Sequence, residues 1–561
     1  MVDDSYTGAD LFVDALEQYG VTHVFGNPGT TELPVMNSLS DADLKYVLCL
    51  HEDIAVGMGA GYASARLHHS HYDDVVTPVG VANLHITPGV AHGIGNLYAA
   101  MHSGSPLVLT AGNHSTDYQH TEPVLSGDLV EMTEQFTKWS AEVQDVSALP
   151  TMLRRAFRTA MTPPTGPVFL SIPMDVSLAE TDARPERLGH IPSGGRGNRS
   201  DVQRAADLIV EADDPILVVG DQVGRSGREA VSAAVSLAES SGAKVHGEPL
   251  ASEVNFDVDH DQWISPLSPQ PSVAPKLLNT DTIVFAGAVE TMSITRPHGE
   301  IISPETRCVY LGTDAWQLGK NHTADATVIG DPGEIMAELA DLVDDELPAE
   351  RREERLERVT ALNEKIDAKI SDDPSSDQPL ASKDELIDRV GEVVPDAYVV
   401  DEAITTKQAL LTRWPLKHES YFGNKGGGLG YGLPASLGVA AAEAERGENK
   451  KTVAVVGDGS YLYYPHSLYT AARYDIDLTV VVPDNRNYRI LKNNMTSILG
   501  GDHEDYDFVG MDFEPAVDIV GNARTHGASS HLVESPDEIG PVVERAVKTD
   551  GPAVVDILIH D

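Results

Sequence analysis

The sequence predicts an α/β protein made of three consecutive doubly wound parallel-sheet domains. At 561 residues the chain is longer than one hydrophobic core organises. Short apolar runs such as 453–456 and 478–482 alternate with helical stretches along its whole length, the pattern of βαβ units in parallel sheets. Two polar stretches break that pattern. Residues 180–198 are rich in Pro, Gly and Arg, and 371–379 read SDDPSSDQP, so both are expected linkers. The expected domains are 1–180, 195–345 and 382–561.

An amphipathic helix opens the first domain and closes at Gly20. A short strand follows, then the loop Asn27-Pro28-Gly29-Thr30-Thr31-Glu32. The next strand runs directly into His51-Glu52 and a helix rich in Gly and Ala, a composition suited to close packing against another helix. The stretch His68-His69-Ser70-His71 reads as a solvated polar loop, because no further ligand lies at metal-site spacing. In the second domain Gly220, Gly224 and Gly227 depart from the dinucleotide-binding spacing, which favours a plain structural unit. Residues 347–370 form a charged helix, expected as a solvated connector.

The formal net charge is −47. Nucleic acid is thereby disfavoured as a partner, since phosphate contacts need Lys and Arg. With 41% hydrophobic residues the chain is expected to be globular. An acidic, lysine-poor surface suggests a salt-adapted (halophilic) cytoplasm, where screening reduces self-repulsion. The two cysteines, Cys49 and Cys308, lie in apolar strand contexts and are expected as buried free thiols. No signal-peptide pattern or membrane span is legible, so a soluble cytoplasmic protein is expected.

The most informative stretch is 452–488. It reads strand, turn, helix, strand, polar loop, with both polar loops at strand carboxyl ends, where open α/β sheets bind ligands. Gly457-Asp458-Gly459-Ser460 ends the first strand, and Asp484-Asn485-Arg486-Asn487-Tyr488 follows the second. Asp458 and Asn485 are oxygen ligands of the kind Mg²⁺ takes while keeping sites for water and phosphate. Ser460, the amides around Gly459 and the following helix start suit phosphates.

These paired loops resemble the diphosphate and metal signature of the thiamine diphosphate enzymes. The resemblance implies Mg²⁺ held by Asp458, the side chain of Asn485 and the carbonyl of Asn487. Asp484 departs from the family's Asn-Asn pair, and it either adds charge near the metal or only holds the loop. The pattern HEDIAVGMGAGYA resembles the family's amino-terminal motif, which implies that Glu52 shares a proton with N1′ of the cofactor's pyrimidine. The glycine-dense loop 426–432 resembles the pyrimidine-side loop, with Gly427 offering its carbonyl and Leu429 acting as a wedge under the bent cofactor. Thr405 and Thr406 resemble the other phosphate-side loop. Tyr463 and Tyr488 either donate hydroxyls to phosphate or are simply packed.

The same resemblance implies pyrimidine-binding, central and diphosphate-binding domains in that order. It also implies a homodimer or homotetramer with active sites between subunits. Within the family, GNPGTTELP and Asn83-Leu84-His85 resemble benzoylformate decarboxylases. Thr30 would orient the carboxylate of a 2-oxo acid substrate, and His85 would be the proton donor. A second active-site histidine has no clear counterpart: GAVETMS occupies its region, and His298 lies downstream. Pro88-Gly89-Val90 instead resembles acetolactate synthases, whose flavin signatures are not visible. The expected activity is non-oxidative decarboxylation of a 2-oxo acid, with or without carboligation. The alternatives are an acetolactate synthase condensing pyruvate and, from another class, a non-catalytic nucleotide-binding protein.

Overall fold

The computed structural model describes residues 6–288, 294–297, 299–371 and 379–560. It contains three six-stranded sheets, and their ladders are parallel, as the alternating pattern predicts. By contact the chain divides into two compact units. One comprises 1–191, 378–415 and 424–561, and the other 192–377 and 416–423.

In the first unit, the amino-terminal sheet orders its strands Lys45–Leu48, His23–Asn27, Gly80–Leu84, Leu107–Asn113, Val168–Pro173, Ser140–Glu142. The carboxyl-terminal sheet places Tyr398–Glu402, Thr452–Val456, Leu478–Asp484, Pro552–Leu558 and Ser529–Val533 side by side in that order. The central strands of both sheets are apolar and buried, because helices cover both faces. One consequence of this order matters for function. Thr452–Val456 lies between Tyr398–Glu402 and Leu478–Asp484, so three loops from separate parts of the sequence meet at one sheet edge.

The two sheets of this unit are joined through the helices Glu52–His69 and Gly432–Arg446, whose contact face is made of small residues. A Cβ on Gly61 would stand 2.1 Å from the carbonyl oxygen of Ala435, and one on Gly438 would stand 2.0 Å from that of Met58. Backbone therefore rests on backbone, and glycine is required by space.

In the second unit the strand order is Ala326–Ile329, Arg307–Gly312, Thr282–Ala286, Ile216–Val219, Lys244–Gly247, Trp263–Pro266. The charged helix Ala349–Ser371 is docked, contrary to the expected solvated connector. Arg355 is 1% exposed, and its guanidinium donates to the carbonyls of Ser241, Ile209, Val210 and Ala212, closing two helix ends.

The expected histidine loop is also corrected. His68 and His69 form the last turn of the Glu52–His69 helix and are buried. Nε2 of His69 lies 3.3 Å from the Tyr398 hydroxyl, and burial holds this imidazole's pKa down at about 4. Both cysteines are buried free thiols, and burial pushes Cys49 up to about 12. No helix among the described residues is long and apolar enough to cross a membrane.

Candidate active site

The three loops at the carboxyl-terminal sheet edge line a pocket, open to solvent, of about 450 Å³. Its lining includes Thr405, Thr406, Leu429, Asp458, Gly459, Ser460, Asn485, Asn487 and Tyr488, all expected from sequence. Gly427 and Tyr463 are not among its walls: Gly427 has φ +72° with open space where a side chain would be, and Tyr463 is half exposed.

Asp458 begins the short helix Asp458–Tyr461 directly after the strand ends. Its Oδ1 accepts the amide of Gly459 at 2.8 Å, while Oδ2 is buried and receives no hydrogen bond. Burial and the adjacent Asp484 carboxylate both push the Asp458 pKa up. Asp484, the position that departs from the family's pair, bears on both its own loop and Asp458. It accepts the amide of Arg486 at 2.9 Å, fixing the loop turn where Arg486 has φ +58°, and it adds negative charge beside Asp458. Asn485 and Asn487 are linked within that loop: the Asn487 side-chain amide donates to the Asn485 carbonyl at 2.6 Å. A buried carboxylate oxygen without a donor, raised in proton affinity by a second acid, is the electrostatic deficit a divalent cation relieves. The residues fit Mg²⁺.

One wall of this pocket, Glu402, begins the stretch that resembles the phosphate-side loop, but no role of its own was read for it from the sequence. Glu402 is wholly buried, and its carboxylate accepts the amides of Gly430 at 2.7 Å, Tyr431 at 3.3 Å and Gly432 at 2.6 Å, besides the Asn424 side chain at 3.2 Å. Burial raises its pKa to about 7 against the pull of those donors. Glu402 thus shapes the glycine loop that carries Gly427 and Leu429.

The amino-terminal candidates gather at the carboxyl edge of their own sheet. Glu52 is the first residue of its helix, 7% exposed, and its two oxygens meet Asn27 Nδ2 at 3.2 Å and His92 Nδ1 at 3.3 Å. His85 follows the strand Gly80–Leu84. A Cβ on Gly89 would lie 2.8 Å from the Cβ of His85 and 3.2 Å from Oε1 of Glu52, so the two side chains border one glycine. Thr30 is exposed on the short turn Thr30–Glu32. Its neighbour Gly29 packs on the His85 ring, where a Cβ would lie 1.7 Å from Nδ1.

Glu32, likewise given no role from the sequence, organises this cluster. It is 1% exposed and accepts the Gly29 amide at 3.0 Å, the Gly112 amide at 2.8 Å and the Thr31 hydroxyl at 2.8 Å. Its Oε2 lies 3.3 Å from His85 Nδ1. A proton placed on Nδ1 of His85 would be donated to this carboxylate, the arrangement that leaves Nε2 facing away from Glu32. Positions 289–293 and 298, where a second histidine was sought, lie outside the described residues.

Models of the thiamine pyrophosphate (thiamine diphosphate) enzymes match three stretches: their N-terminal cofactor-binding domain over 6–138, their central domain over 202–339 and their C-terminal cofactor-binding domain over 406–557. The chain belongs to the thiamine pyrophosphate enzyme family. It is 29% identical over 551 residues to benzoylformate decarboxylase of Pseudomonas aeruginosa, covering 97% of both chains. It is 26% identical to a probable acetolactate synthase large subunit of Methanocaldococcus jannaschii, covering 98% of this chain and 92% of that one. Among solved structures, the thiamine diphosphate-dependent 4-hydroxybenzoylformate decarboxylase of Rhodococcus jostii superposes with a TM-score of 0.84 at 25% identity, over 99% of both chains. This family of decarboxylases and carboligases carries thiamine pyrophosphate-binding domains at both ends of the matched region.

Proposed function

We propose that this thiamine pyrophosphate enzyme decarboxylates a 2-oxo acid without oxidation and releases the aldehyde. The observation that carries this reading is the buried Glu32 holding His85 Nδ1 beside Glu52. A decarboxylase must deliver a proton to carbon after CO₂ departs, and a histidine held by a buried carboxylate suits that task. When bound, the cofactor supplies the electron sink that lets CO₂ leave.

The residues have separable tasks. Glu52 exchanges a proton with the pyrimidine ring. Gly459 and Ser460 offer donors to the diphosphate, and Thr405 and Thr406 flank it. Asp458, Asn485 and the carbonyl of Asn487 hold Mg²⁺, which neutralises phosphate charge. Leu429 wedges under the cofactor. Thr30 orients the substrate carboxylate, and His85 carries the proton. Gly427 lends its carbonyl from the glycine loop, and Tyr488 is a hydroxyl donor in the pocket wall, whereas Tyr463, outside that wall, is left as a donor by resemblance only.

The walls of the diphosphate pocket come from 402–490 and Ile559, whereas Glu52 belongs to the amino-terminal cluster. The family resemblance implies an active site completed by a second copy of the chain, so a homodimer is the smallest active unit in this reading. The acidic composition and buried thiols support a cytoplasmic, salt-adapted setting.

The test is a panel of 2-oxo acids, aryl and alkyl, incubated with protein, thiamine diphosphate and Mg²⁺ while CO₂ and products are followed. Aldehyde release supports the proposal. Acetolactate from pyruvate, with no aldehyde from any acid, would favour the synthase reading suggested by the second relative. Calorimetry that detects ATP but not thiamine diphosphate would return the chain to a nucleotide-binding role.

A further inference from the structure

Asp53, the residue after Glu52, is 2% exposed, and the chemistry above does not use it. Burying a carboxylate is a poor way to stabilise a fold, since desolvation offsets much of what its partners return. Its two oxygens reach in different directions. Oδ1 accepts the backbone amide of Asn96 at 2.7 Å within the amino-terminal domain, and Oδ2 accepts the hydroxyl of Tyr464 at 2.9 Å from the carboxyl-terminal domain. Asn96 adds a second crossing. Its side-chain amide donates to the Asp53 carbonyl at 2.8 Å and to the Gly430 carbonyl at 3.3 Å.

Gly430 is held from its other side as well. Its amide goes to Glu402, and at φ +100° it packs so closely on Tyr464 that a Cβ would lie 2.6 Å from the ring. The Gly430 peptide is thus gripped by Glu402, Asn96 and Tyr464 together. Glu402 and Leu429 line the cofactor pocket, while Glu52 is one peptide bond from Asp53.

We infer that Asp53, Asn96 and Tyr464 form a positioning clasp that sets the start of the Glu52 helix against the glycine loop carrying Leu429. The inference rests on the thiamine diphosphate reading above. The clasp makes the order of the two elements mutual: a cofactor that seats the glycine loop also holds the first turn of the Glu52 helix in place. Reciprocity of this kind is required of any two sites that bias one shared arrangement. Asp53 and Tyr464 touch no reacting atom in this scheme. They act through Glu52 and Leu429.

The experiment compares the full-length enzyme with Asp53→Asn, Tyr464→Phe and the double variant. Thiamine diphosphate affinity is read by calorimetry with Mg²⁺ present, kcat and KM by turnover, and amide exchange over 52–56 with and without cofactor. The expected result is a loss of about 10-fold in both cofactor affinity and kcat for each single variant, at unchanged KM for the 2-oxo acid. The double variant loses no more than Asp53→Asn alone, the sign of one shared interaction. Cofactor slows exchange at 52–56 in the unmodified enzyme and not in the variants. Variants with wild-type affinity and cofactor-dependent protection overturn the clasp, as do losses that multiply in the double variant. Failure of the unmodified enzyme to bind thiamine diphosphate overturns the parent reading instead, so the two failures are distinct.

Discussion

Nδ1 of His85 lies 3.3 Å from Oε2 of Glu32, a carboxylate buried beneath the loop that opens the amino-terminal half-site. Glu32→Gln keeps the shape and replaces the carboxylate that faces the imidazole with an amide. The expected outcome is a fall in kcat of about 10- to 100-fold, within the range a positioned proton carrier contributes. Calorimetric cofactor affinity should stay at the wild-type value. A variant with undiminished kcat would remove Glu32 from the proposed chemistry.

Glu52→Gln leaves a residue of the same size that still meets Asn27. The helix start should survive, because its cap is the His51 ring nitrogen accepting the Asp53 amide at 3.1 Å. Circular dichroism should therefore be unchanged, with weakened cofactor binding and turnover reduced at least about 100-fold.

Asp458 makes a prediction about the cofactor-free protein. Burial and Asp484 raise its folded pKa above the unfolded carboxylate value near 4. The proton is thus bound more tightly in the folded state, and that stability is fully present below about pH 4. It is lost as pH rises from there through the raised folded value. Asp458→Asn should flatten this part of the decline, measured as the difference in Tm between the two proteins from pH 5 to pH 8. Mg²⁺ with thiamine diphosphate should raise Tm at pH 8 in the wild type and not in the variant.

Gly61 and Gly438 test the joint between the two sheets of the first unit. A methyl at either position meets a carbonyl oxygen at about 2 Å, so the helices must separate. Gly438→Ala should cost on the order of 3 kcal/mol and lower Tm by several degrees, read by thermal melting. Ala444→Gly, at an exposed position on the same helix, should cost only about 1 kcal/mol through helix propensity.

Much of the site was legible because its parts are contiguous in sequence. A glycine turn at the end of an apolar strand, followed 27 residues on by a polar loop at the end of the next, specifies a sheet edge suited to a ligand before any contact is known. The parallel sheets follow from the alternation of apolar runs and helices, whereas the role expected of Glu52 came from the resemblance of HEDIAVGMGAGYA to the family's amino-terminal motif. Local sequence determines these features because strand ends, turns and helix starts are set by neighbouring residues.

Glu32, Glu402, Asp53 and the docking of Arg355 were decided elsewhere. Each is a charged residue that looks solvated in its own segment. Its burial comes from partners such as Gly112, Gly430, Tyr464 and Ser241, 80, 28, 411 and 114 residues away. His68 and His69 were misread for the same reason: a polar run looks like a loop until packing against Tyr398 keeps the helix going. The sequence by itself determined the fold class and the chemistry that the loops can hold. Only the tertiary structure decided which acids are buried, because desolvation and hydrogen-bond satisfaction are properties of what folds against a residue.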